Sequence, residues 1–441
     1  MSRLILKNFR IVDETTDARG SVIVEDGIIR DVCIGKEVNA AGPADIVLDG
    51  GCMEQSGLAC GGGLACSSSL ALMPAFVDLH AHFREPGFSE KETLESACLA
   101  AAAGGYGTVV CMANTKPVTD TIAQVRSIKS RTDALGLVDV YPVLSLTKGM
   151  EGTELSEIAL AAENQETDLR LLSEDGKDVA DDGVFLAAME RARRWGIPVS
   201  CHCDLDGENN AVRRVLELGK KAGHDCMPEC RLHIAHVSTR EAAAMIREAK
   251  NNSPLLTCEV TPHHIALTEK DAAALGSTTL GRVNPPLRTE EDRQALIAAI
   301  VDGTVDAIAT DHAPHTQADK EKGAPGFTGL ETAFAVCYST LVVPGHIGLS
   351  KLSSLMSAAP ARILGLDGDG RSAHGRGRIA PGLRADFAIA DLGAAWTVAP
   401  ENFMSRGKNS PFAGRTLTGK IVLTVRGGRI VYCGISGLGP Y

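Results

Sequence analysis

The stretch FVDLHAHFREPG, residues 76–87, shows a strand pattern that recurs along the chain. It begins as a short apolar strand and ends in residues that can bind metals and anions. Because side chains alternate along a strand, His80 and His82 point to the same side of it and can share one metal ion. A pair of packed or exposed histidines has the same spacing, so this motif needs support from elsewhere in the chain.

Seven further segments resemble this strand, and helical segments rich in Ala, Leu, Glu and Arg follow most of them, such as 182–195 and 239–250. The candidate strands are FVDLHAH, GTVVCMA, VDVYPVL, DLRLL, IPVSCH, RLHIAHV, LLTCEV and VDAIAT. Eight such units in roughly 300 residues match the count and size of a (β/α)8 barrel of the TIM type. We therefore predict an α/β fold with this barrel over residues 74–367.

Both ends of the chain show a different pattern. Residues 4–48 and the last seventy or so contain short alternating stretches separated by turn residues, which are typical of antiparallel strands. We predict that residues 1–73 and 368–441 together form one small β-sandwich domain. The segment 50–72 is rich in Gly, Ser and Cys and is interpreted as a flexible insertion, with a metal or redox role as the alternative.

Composition limits the function. The 441 residues carry a net charge of -11, which argues against a nucleic-acid partner and requires any anionic substrate to be captured by a few local cations. The first residues lack the apolar core of a signal peptide, and no stretch approaches the roughly 18 apolar residues of a membrane-spanning helix. We expect a cytoplasmic protein with no membrane partner.

The 13 cysteines are scattered through the chain and do not suggest a disulfide framework. Two local pairs, Cys201 with Cys203 and Cys226 with Cys230, raise the alternative of structural zinc. Neither pair has the paired CxxC spacing of such sites. Most of the cysteines are interpreted as small buried hydrophobes.

The remaining candidate site residues stand at the ends of other predicted barrel strands. His202 and His236 end the fifth and sixth strands, and Asp311 and His315 follow the eighth. Each histidine taken singly is more often a packed core residue, but active sites of such barrels lie at the carboxyl ends of the strands. A buried aspartate there is costly unless a cation compensates it. Together these residues predict a metal centre.

Two divalent ions held by these side chains need a bridging hydroxide and a second anionic protein oxygen. The end of the fourth strand, DLRLLSEDG, is where that oxygen is expected, and it offers Glu174 and Asp175. The strand pattern does not distinguish between these two acids.

Seven motifs along the chain resemble those of one family. They are DLHAHFREPG, MANTKP, SEDG, HVST, EVTPHH, NPPLR and ATDHAPH. In this order and spacing they are similar to dihydroorotases of the amidohydrolase superfamily, and most similar to the long, bacterial-type branch. The resemblance implies an enzyme of pyrimidine biosynthesis. Such enzymes reversibly hydrolyse (S)-dihydroorotate to N-carbamoyl-L-aspartate in a zinc-dependent reaction.

The resemblance also implies a ligand set for two zinc ions and a bridging hydroxide. It assigns His80, His82 and Asp311 to one ion and His202 and His236 to the other. Asp175 is the implied bridge. Relatives in other branches use a carboxylated lysine at the bridge, and Lys177 is the candidate for it here. Because Lys177 lies two residues beyond the matched position, we expect it to be an unmodified, solvated lysine.

The same motifs imply roles in substrate binding and catalysis. Arg84, Asn114 and His315 would bind the substrate carboxylate, and Asn284 would line the pyrimidine ring. An arginine two residues past His82 can reach into the same site and bind a carboxylate with two hydrogen bonds. Asp311 is the expected catalytic residue, which takes a proton from the nucleophile and passes it to the leaving nitrogen.

Three departures from the family pattern stand out. The chain between His202 and His236 is shorter than usual, which predicts a more open rim. The segment GAPGFTGLET, residues 323–332, differs from the usual substrate-covering loop, so the family's backbone contacts are not carried over to 324–326. The insertion at 50–72 has no counterpart in the family pattern.

Two rival functions remain. Another cyclic-amide hydrolase, such as an allantoinase or dihydropyrimidinase, acts on a neutral substrate and leaves Arg84 without a role. An inactive barrel that serves as a scaffold for aspartate transcarbamoylase would have lost metal ligands. We expect a small-molecule substrate and a homodimer, with aspartate transcarbamoylase as a candidate partner.

Overall fold

The structure is a computed structural model of the chain. The structure describes residues 3–36, 38, 45–51, 69–158, 168–222, 230–275, 281–368 and 374–435. The first five strands and the last three lie in one sheet, and eight strands between them form a barrel.

The barrel strands are short and parallel, and their described residues are nearly all buried. They are β6 (Phe76–Ala81), β7 (Tyr106–Cys111), β8 (Asp139–Pro142), β9 (Leu172–Ser173), β10 (Val199–Cys201), β11 (Leu232–Ile234), β12 (Thr257–Val260) and β13 (Ala307–Ile308). Single β-bridges between Leu144 and Leu172, and between Ala81 and His312, join the two runs of strands into a closed ring. Each of the eight segments predicted from the sequence overlaps one of these strands, and the barrel is confirmed.

Most of the described helices connect barrel strands, and the last four follow the eighth strand. The helices are α1 (Leu94–Ala103), α2 (Ile122–Leu135), α3 (Asp182–Trp195), α4 (Glu208–Ala222), α5 (Arg240–Lys250), α6 (Pro262–Ala266), α7 (Glu269–Ala274), α8 (Glu290–Val301), α9 (Gln317–Glu321), α10 (Ala333–Cys337), α11 (Leu349–Ser353) and α12 (Ala359–Ile363). One-turn π-helices span Tyr338–Val342 and Ser354–Ala358, and 3₁₀ turns span Lys148–Met150 and Pro400–Asn402.

Local sequence explains where several helices begin. Thr93, Thr121 and Thr289 each accept a hydrogen bond from the backbone three residues later and complete capping boxes at the starts of α1, α2 and α8. Gly136 and Gly196 end α2 and α3 in the left-handed conformation, which glycine adopts without steric cost. These caps give each connection between strands a defined length.

The terminal sheet combines both ends of the chain. Its strands are β1 (Leu4–Val12), β2 (Asp17–Glu25), β3 (Ile28–Ile34), β4 (Ile46–Asp49), β5 (Leu70–Pro74), β14 (Phe387–Thr397), β15 (Thr416–Arg426) and β16 (Arg429–Cys433). The order is β16-β15-β14-β5-β1-β2-β3, with β4 beside β1. Apolar residues from both ends enclose one core, as the prediction of a shared β domain requires.

Two details of this region differ from the sequence interpretation. The strands are not all antiparallel, because β1 pairs in parallel with both β4 and β5, which reach it through connections longer than a hairpin. The segment interpreted as the 50–72 insertion ends earlier than expected, since Leu70 already begins β5. Residues 52–68 lie outside the described part of the chain, and the domain boundaries stay predictions.

The barrel and the terminal sheet share a core. One cluster of buried side chains contains Met73 of β5 and Ala388 of β14 together with barrel residues such as Phe76 and Tyr106. The sheet therefore supports the barrel from one side. Within the described ranges, no helix is both long and apolar enough to span a membrane.

Most cysteines are packed as small apolar side chains. Of the nine that the structure describes, seven are buried, and Cys33 and Cys433 are half-buried. Cys201, Cys203 and Cys230 lie in the barrel core, while Cys226 is outside the described residues. In the described ranges, the groups of side chains that could hold a metal contain no cysteine.

Candidate metal centre and substrate cavity

The predicted ligands meet at the carboxyl ends of the barrel strands. His80 and His82 stand at the end of β6, His202 and His236 follow β10 and β11, and Asp311 follows β13. All five side chains are buried, and the rings of His80 and His82 have their centroids 5.4 Å apart. The barrel thus brings together residues that lie far apart in the sequence.

Asp175 lies at the centre of this group. Its Oδ1 atom is 3.1 Å from His80 Nε2 and 3.6 Å from His236 Nε2, and its Oδ2 atom is 3.4 Å from His82 Nε2. The neighbouring acid faces elsewhere: Glu174 accepts hydrogen bonds from the backbone amides of Leu146 and Thr147 and from the Thr147 hydroxyl. The structure therefore distinguishes the two acids of the SEDG turn.

Asp311 lies on the other side of the two β6 histidines. Its Oδ1 atom is 3.2 Å from His82 Nε2 and 3.8 Å from His80 Nε2. Two overlapping sets of side chains are close enough to hold a metal ion, one of His80, His82 and Asp311 and one of His80, Asp175 and His236. His202 is not a member of either set, but its ring contacts that of His236 with centroids 4.8 Å apart.

Unpaired buried atoms in this group fit bound metal ions. His80 Nε2, Asp175 Oδ1, His202 Nδ1 and His236 Nδ1 are all inaccessible to water and make no hydrogen bond of acceptable geometry. His80 Nε2 and Asp175 Oδ1 are 3.1 Å apart but are not aligned for such a bond. Buried polar atoms are rarely left unsatisfied, because each one costs free energy. Imidazole nitrogens and carboxylate oxygens are also the ligands that zinc uses in enzymes. The residues present are therefore suited to a metal centre.

Electrostatics keep the carboxylates ionised. Burial by itself would raise the pKa of Asp175, but the adjacent His80 and His236 hold that pKa well below its usual range. The same opposition between burial and the neighbouring histidines, His82 first among them, leaves the pKa of Asp311 below its ordinary value. Both side chains are thus in the anionic form that metal binding requires.

Three of the eight described non-glycine residues with a positive φ angle belong to this site. Arg84, His236 and Asp311 have φ angles of 60°, 33° and 46°, a region that residues other than glycine rarely adopt. Such conformations persist only where the surrounding structure enforces them, and they occur most often at functional sites. The strain at these three residues supports a functional role for the strand ends.

A second layer of residues orients His80. Glu259, on β12, places Oε1 3.1 Å from His80 Nδ1, and its Oε2 atom is 3.0 Å from His233 Nε2. Burial would raise the pKa of Glu259, but His233 and His80 lower it to about 2, so it is a carboxylate and accepts a hydrogen bond from His80 Nδ1. This leaves His80 Nε2 free for a metal. Glu259 was not predicted from the sequence, although a charged residue within the apolar strand LLTCEV could have indicated it.

We predict that Glu259→Gln weakens metal binding. Glutamine has nearly the same size but no charge, so His80 would become a poorer ligand, and the metal dissociation constant should rise about 10- to 100-fold. Competition with a chelating indicator dye measures this constant directly. Glu248→Gln on α5, which changes an exposed glutamate, is the control. Equal metal affinity in both variants would show that Glu259 does not tune the site.

A cavity of about 210 Å³ opens beside the ligand group. It is lined by His82, Arg84, Asn114, Asp175, Gly176, His202, His236, Asn284, Asp311, Ala313, His315, Pro325 and Gly326. Every residue that the sequence analysis assigned to the site contributes to this wall, except His80, which lies behind it. The cavity is the candidate position for a small substrate.

Arg84 and His315 lie together in this wall. Arg84 Nε donates to the Pro314 carbonyl at 3.1 Å, and its Nη2 atom is 3.2 Å from His315 Nε2. Burial lowers the pKa of Arg84 to about 10, so the side chain still carries a positive charge at neutral pH. Burial and the adjacent Arg84 lower the pKa of His315 to about 3, so the imidazole is neutral. This part of the wall therefore offers the positive charge of Arg84, and the neighbouring His315 adds no second positive charge.

Asn114 and Asn284 occupy positions on either side of the ligands. Asn114 Oδ1 lies 2.9 Å from His82 Nδ1, so it can accept a hydrogen bond from that nitrogen and direct His82 Nε2 towards the two aspartates. Its amide nitrogen is 3.5 Å from the Asp175 carbonyl. Asn284 Nδ2 contacts His202 Nε2 at 3.5 Å and Asp204 Oδ2 at 3.2 Å. Their predicted contacts with substrate stay predictions.

Lys177 lies outside this group. Its side chain is exposed, and its ammonium donates to the Met150 carbonyl at 2.9 Å.

Comparison with known proteins agrees with the geometry. The model of the amidohydrolase family matches residues 71–431. The chain belongs to the amidohydrolase family. A dihydroorotase of Clostridium botulinum (strain Eklund 17B / Type B) is 36% identical over 438 residues, which cover 97% of this chain and 99% of that protein. A dihydroorotase of Anaeromyxobacter dehalogenans (strain 2CP-C) is 41% identical over 382 residues, covering 81% of this chain and 86% of that protein.

Solved structures of the amidohydrolase fold are also similar. The L-hydantoinase (dihydropyrimidinase) of Arthrobacter aurescens superimposes with a TM-score of 0.83 and 23% identity, covering 99% of this chain and 97% of that one. The D-hydantoinase (dihydropyrimidinase) of Thermus sp. gives a TM-score of 0.80 and 20% identity, covering 99% and 96%. At this level of identity the likeness concerns the fold alone. Taken together, the family and its dihydroorotase relatives identify the chain as a metal-dependent cyclic amidohydrolase.

Proposed function

We propose that this amidohydrolase is a dihydroorotase, which reversibly hydrolyses (S)-dihydroorotate to N-carbamoyl-L-aspartate in the biosynthesis of pyrimidines. The relatives named dihydroorotase support this assignment, since they are 36% and 41% identical over most of the chain. The observation that carries it is the position of Arg84 in the cavity wall.

Arg84 favours a substrate with a carboxylate. In the described part of the chain its polar contacts are the Pro314 carbonyl and His315, and neither is an acid. A partly buried guanidinium without an acidic partner is suited to bind a carboxylate from a ligand, with two parallel hydrogen bonds. Dihydroorotate carries such a group on its ring, whereas dihydrouracil and allantoin do not. The cation also compensates for the net negative charge of the chain near the substrate.

We propose two zinc ions as the metals. His80, His82 and Asp311 would hold one of them, His202 and His236 the other, and Asp175 would bridge the pair, while Lys177 would remain unmodified. The unpaired nitrogen and oxygen atoms of this group support the proposal, as does the central position of Asp175. When bound, such ions lower the pKa of a water molecule and polarise the carbonyl that it attacks.

The side chains of the protein would supply the other steps. Arg84 would bind the substrate carboxylate, with His315 3.2 Å from its guanidinium and Asn114 in the wall of the same cavity. Asn284, on the opposite wall, lines the ring. The Asp311 carboxylate, ionised and exposed to the cavity, takes the proton of the attacking water and gives it to the ring nitrogen as the amide bond breaks. The reverse reaction closes the ring by the same path.

The hydantoinases are the main alternative, because their structures superimpose on this chain. Hydrolysis rates for dihydroorotate, dihydrouracil, allantoin and hydantoin on one zinc-loaded sample distinguish the candidates. A dihydroorotase prefers the first of these substrates. Preference for a neutral ring would overturn the assignment, and lack of both metal and activity would support the inactive scaffold.

We predict that Arg84→Ala mainly raises KM for dihydroorotate. Loss of charge-assisted hydrogen bonds worth about 1.5–3 kcal/mol corresponds to a rise of about 10- to 100-fold. Steady-state kinetics measure the effect, with kcat as the internal comparison. Arg240→Ala, which changes an exposed arginine at the start of α5, is the control. An unchanged KM would mean that Arg84 does not bind the carboxylate.

The expected homodimer, the candidate partner aspartate transcarbamoylase and the cytoplasmic location remain proposals. Sedimentation equilibrium of the purified protein, alone and with the transcarbamoylase, tests the first two.

A further inference from the structure

Lys320 is a fully buried lysine near the substrate cavity. It lies on α9, and its side chain has 0% exposure to solvent. Lysine is among the residues least often buried, because its ammonium loses the hydration of its charge. Its neighbour Lys322 is exposed, as is usual. The burial of Lys320 therefore calls for a compensating set of contacts.

Three backbone carbonyls provide that compensation. Lys320 Nζ donates to Arg282 O, Ala324 O and Gly326 O, each at 2.9 Å. An ammonium has three protons, so each proton has one acceptor and none is left unsatisfied. Burial lowers the pKa of Lys320 to about 8, so at neutral pH most of the side chain is in the charged form that can make all three bonds.

The three carbonyls belong to two walls of the cavity. Ala324 and Gly326 are in the segment that places Pro325 and Gly326 against the substrate space, and Arg282 stands two residues before Asn284 on the other wall. Gly326 N also donates to Arg282 O at 3.0 Å. Lys320 thus reinforces the junction between the two walls from behind.

This junction also touches His315. A Cβ atom on Gly326 would come within 2.7 Å of Ala313 O and 3.3 Å of His315 Cδ2, so the segment is packed tightly against that ring. The Pro325 carbonyl lies 2.9 Å from His315 Nε2. Asn409 also links the 324–326 segment to His315, because it donates a hydrogen bond to Gly326 O at 2.9 Å and accepts one from the His315 amide at 3.2 Å. A shift of residues 324–326 would therefore move His315.

We propose that Lys320 is a positioning residue that joins the two walls of the substrate cavity and holds His315 in place for the substrate. It acts through the 324–326 segment and touches neither substrate nor metal. The inference rests on the proposed function only for the identity of the substrate used to test it. No substrate contacts were predicted for residues 324–326 from the family resemblance. The hydrogen bonds from Lys320 to Ala324 O and Gly326 O explain how this segment is held in place.

The test replaces Lys320 with methionine, which has a similar length and no donors. We expect KM for dihydroorotate to rise about tenfold or more, and kcat and metal content to change less than about threefold, because the metal ligands are untouched. Hydrogen exchange of the amides at 324 and 326–328 should become at least about tenfold faster, and exchange in the barrel strands should not. Lys322→Met is the matched control.

Several results would overturn the positioning role of Lys320. Kinetics and local exchange equal to those of the control would overturn the proposal, as would faster exchange throughout the chain with equal losses in kcat and kcat/KM. If the methionine variant does not fold, Lys320→Gln, which keeps two donors, must show a smaller change of the same kind; failure of both variants to fold would assign Lys320 to stability alone. If the wild-type protein prefers another cyclic amide, the dihydroorotase assignment fails, while the exchange measurement and the kinetics on that other substrate still test Lys320.

Discussion

Replacing Asp311 with asparagine is expected to lower kcat about a thousandfold, within the range that general acid–base catalysis contributes, and to leave KM within a few-fold of the wild-type value. Asparagine keeps the size of the side chain and an oxygen that can face His82 at the present distance of 3.2 Å. It cannot take up a proton from water and deliver it to the ring nitrogen. The expected defect is therefore in turnover rather than in binding.

Two measurements separate this role from metal loss. Assays with excess zinc, together with elemental analysis of the same sample, show whether the variant still carries its metal. Asp133→Asn, an exposed position near the end of α2, is the matched control and should behave as the wild-type protein does. If the metal-loaded Asp311 variant turned over at a rate close to normal, the proton would have to pass through another group.

Replacing Asp175 with alanine is expected to have an effect of similar size through a different cause. The carboxylate has one oxygen near His80 and His236 and the other near His82, and its Oδ1 atom makes no hydrogen bond of acceptable geometry. Its removal leaves the histidines without a shared anion, so we expect the zinc content to fall from about two ions to about one per chain. Hydrolysis should fall about a thousandfold with it.

The adjacent acid gives a sharp control for this experiment. Glu174→Gln alters a carboxylate that is bonded to the backbone of Leu146 and Thr147, away from the ligand group. We expect this variant to keep its metal while losing about 1–3 kcal/mol of unfolding free energy, because a buried acceptor is weakened. Elemental analysis and chemical denaturation of both variants make the comparison. Metal loss in the Glu174 variant but not in the Asp175 variant would reverse the assignment of the bridge.

Much of the fold could be predicted because its signal is local. Each barrel strand is a short apolar run, and the threonines and glycines that begin or end α1, α2, α3 and α8 are visible in the sequence. The parallel pairing of β1 with β4 and β5 was missed, because strand direction depends on how the chain returns to the sheet rather than on the residues of the strand. The early start of β5 was missed because it adjoins a stretch of Gly, Ser and Cys.

Some site residues could likewise be predicted from the sequence, and others could be found only in the structure. His80 and His82 were recognisable as a pair because two residues of one strand share a face, and the seven motifs of the family resemblance supplied the other candidates. The motifs assigned no role to Glu259, whose contact with His80 crosses from β12 to β6. Lys320 gave no signal either, since lysines are common on surfaces and only its three carbonyl partners distinguish it.

The SEDG turn shows the boundary between the two sources of information. The sequence by itself determined that a turn with two acids follows the fourth barrel strand, because two leucines give way there to Ser173 and Gly176. Only the tertiary structure decided between the acids by contact: adjacent side chains leave the backbone in different directions, and what each one meets depends on other strands. Glu174 meets the amides of the segment after β8, and Asp175 meets histidines from β6 and β11.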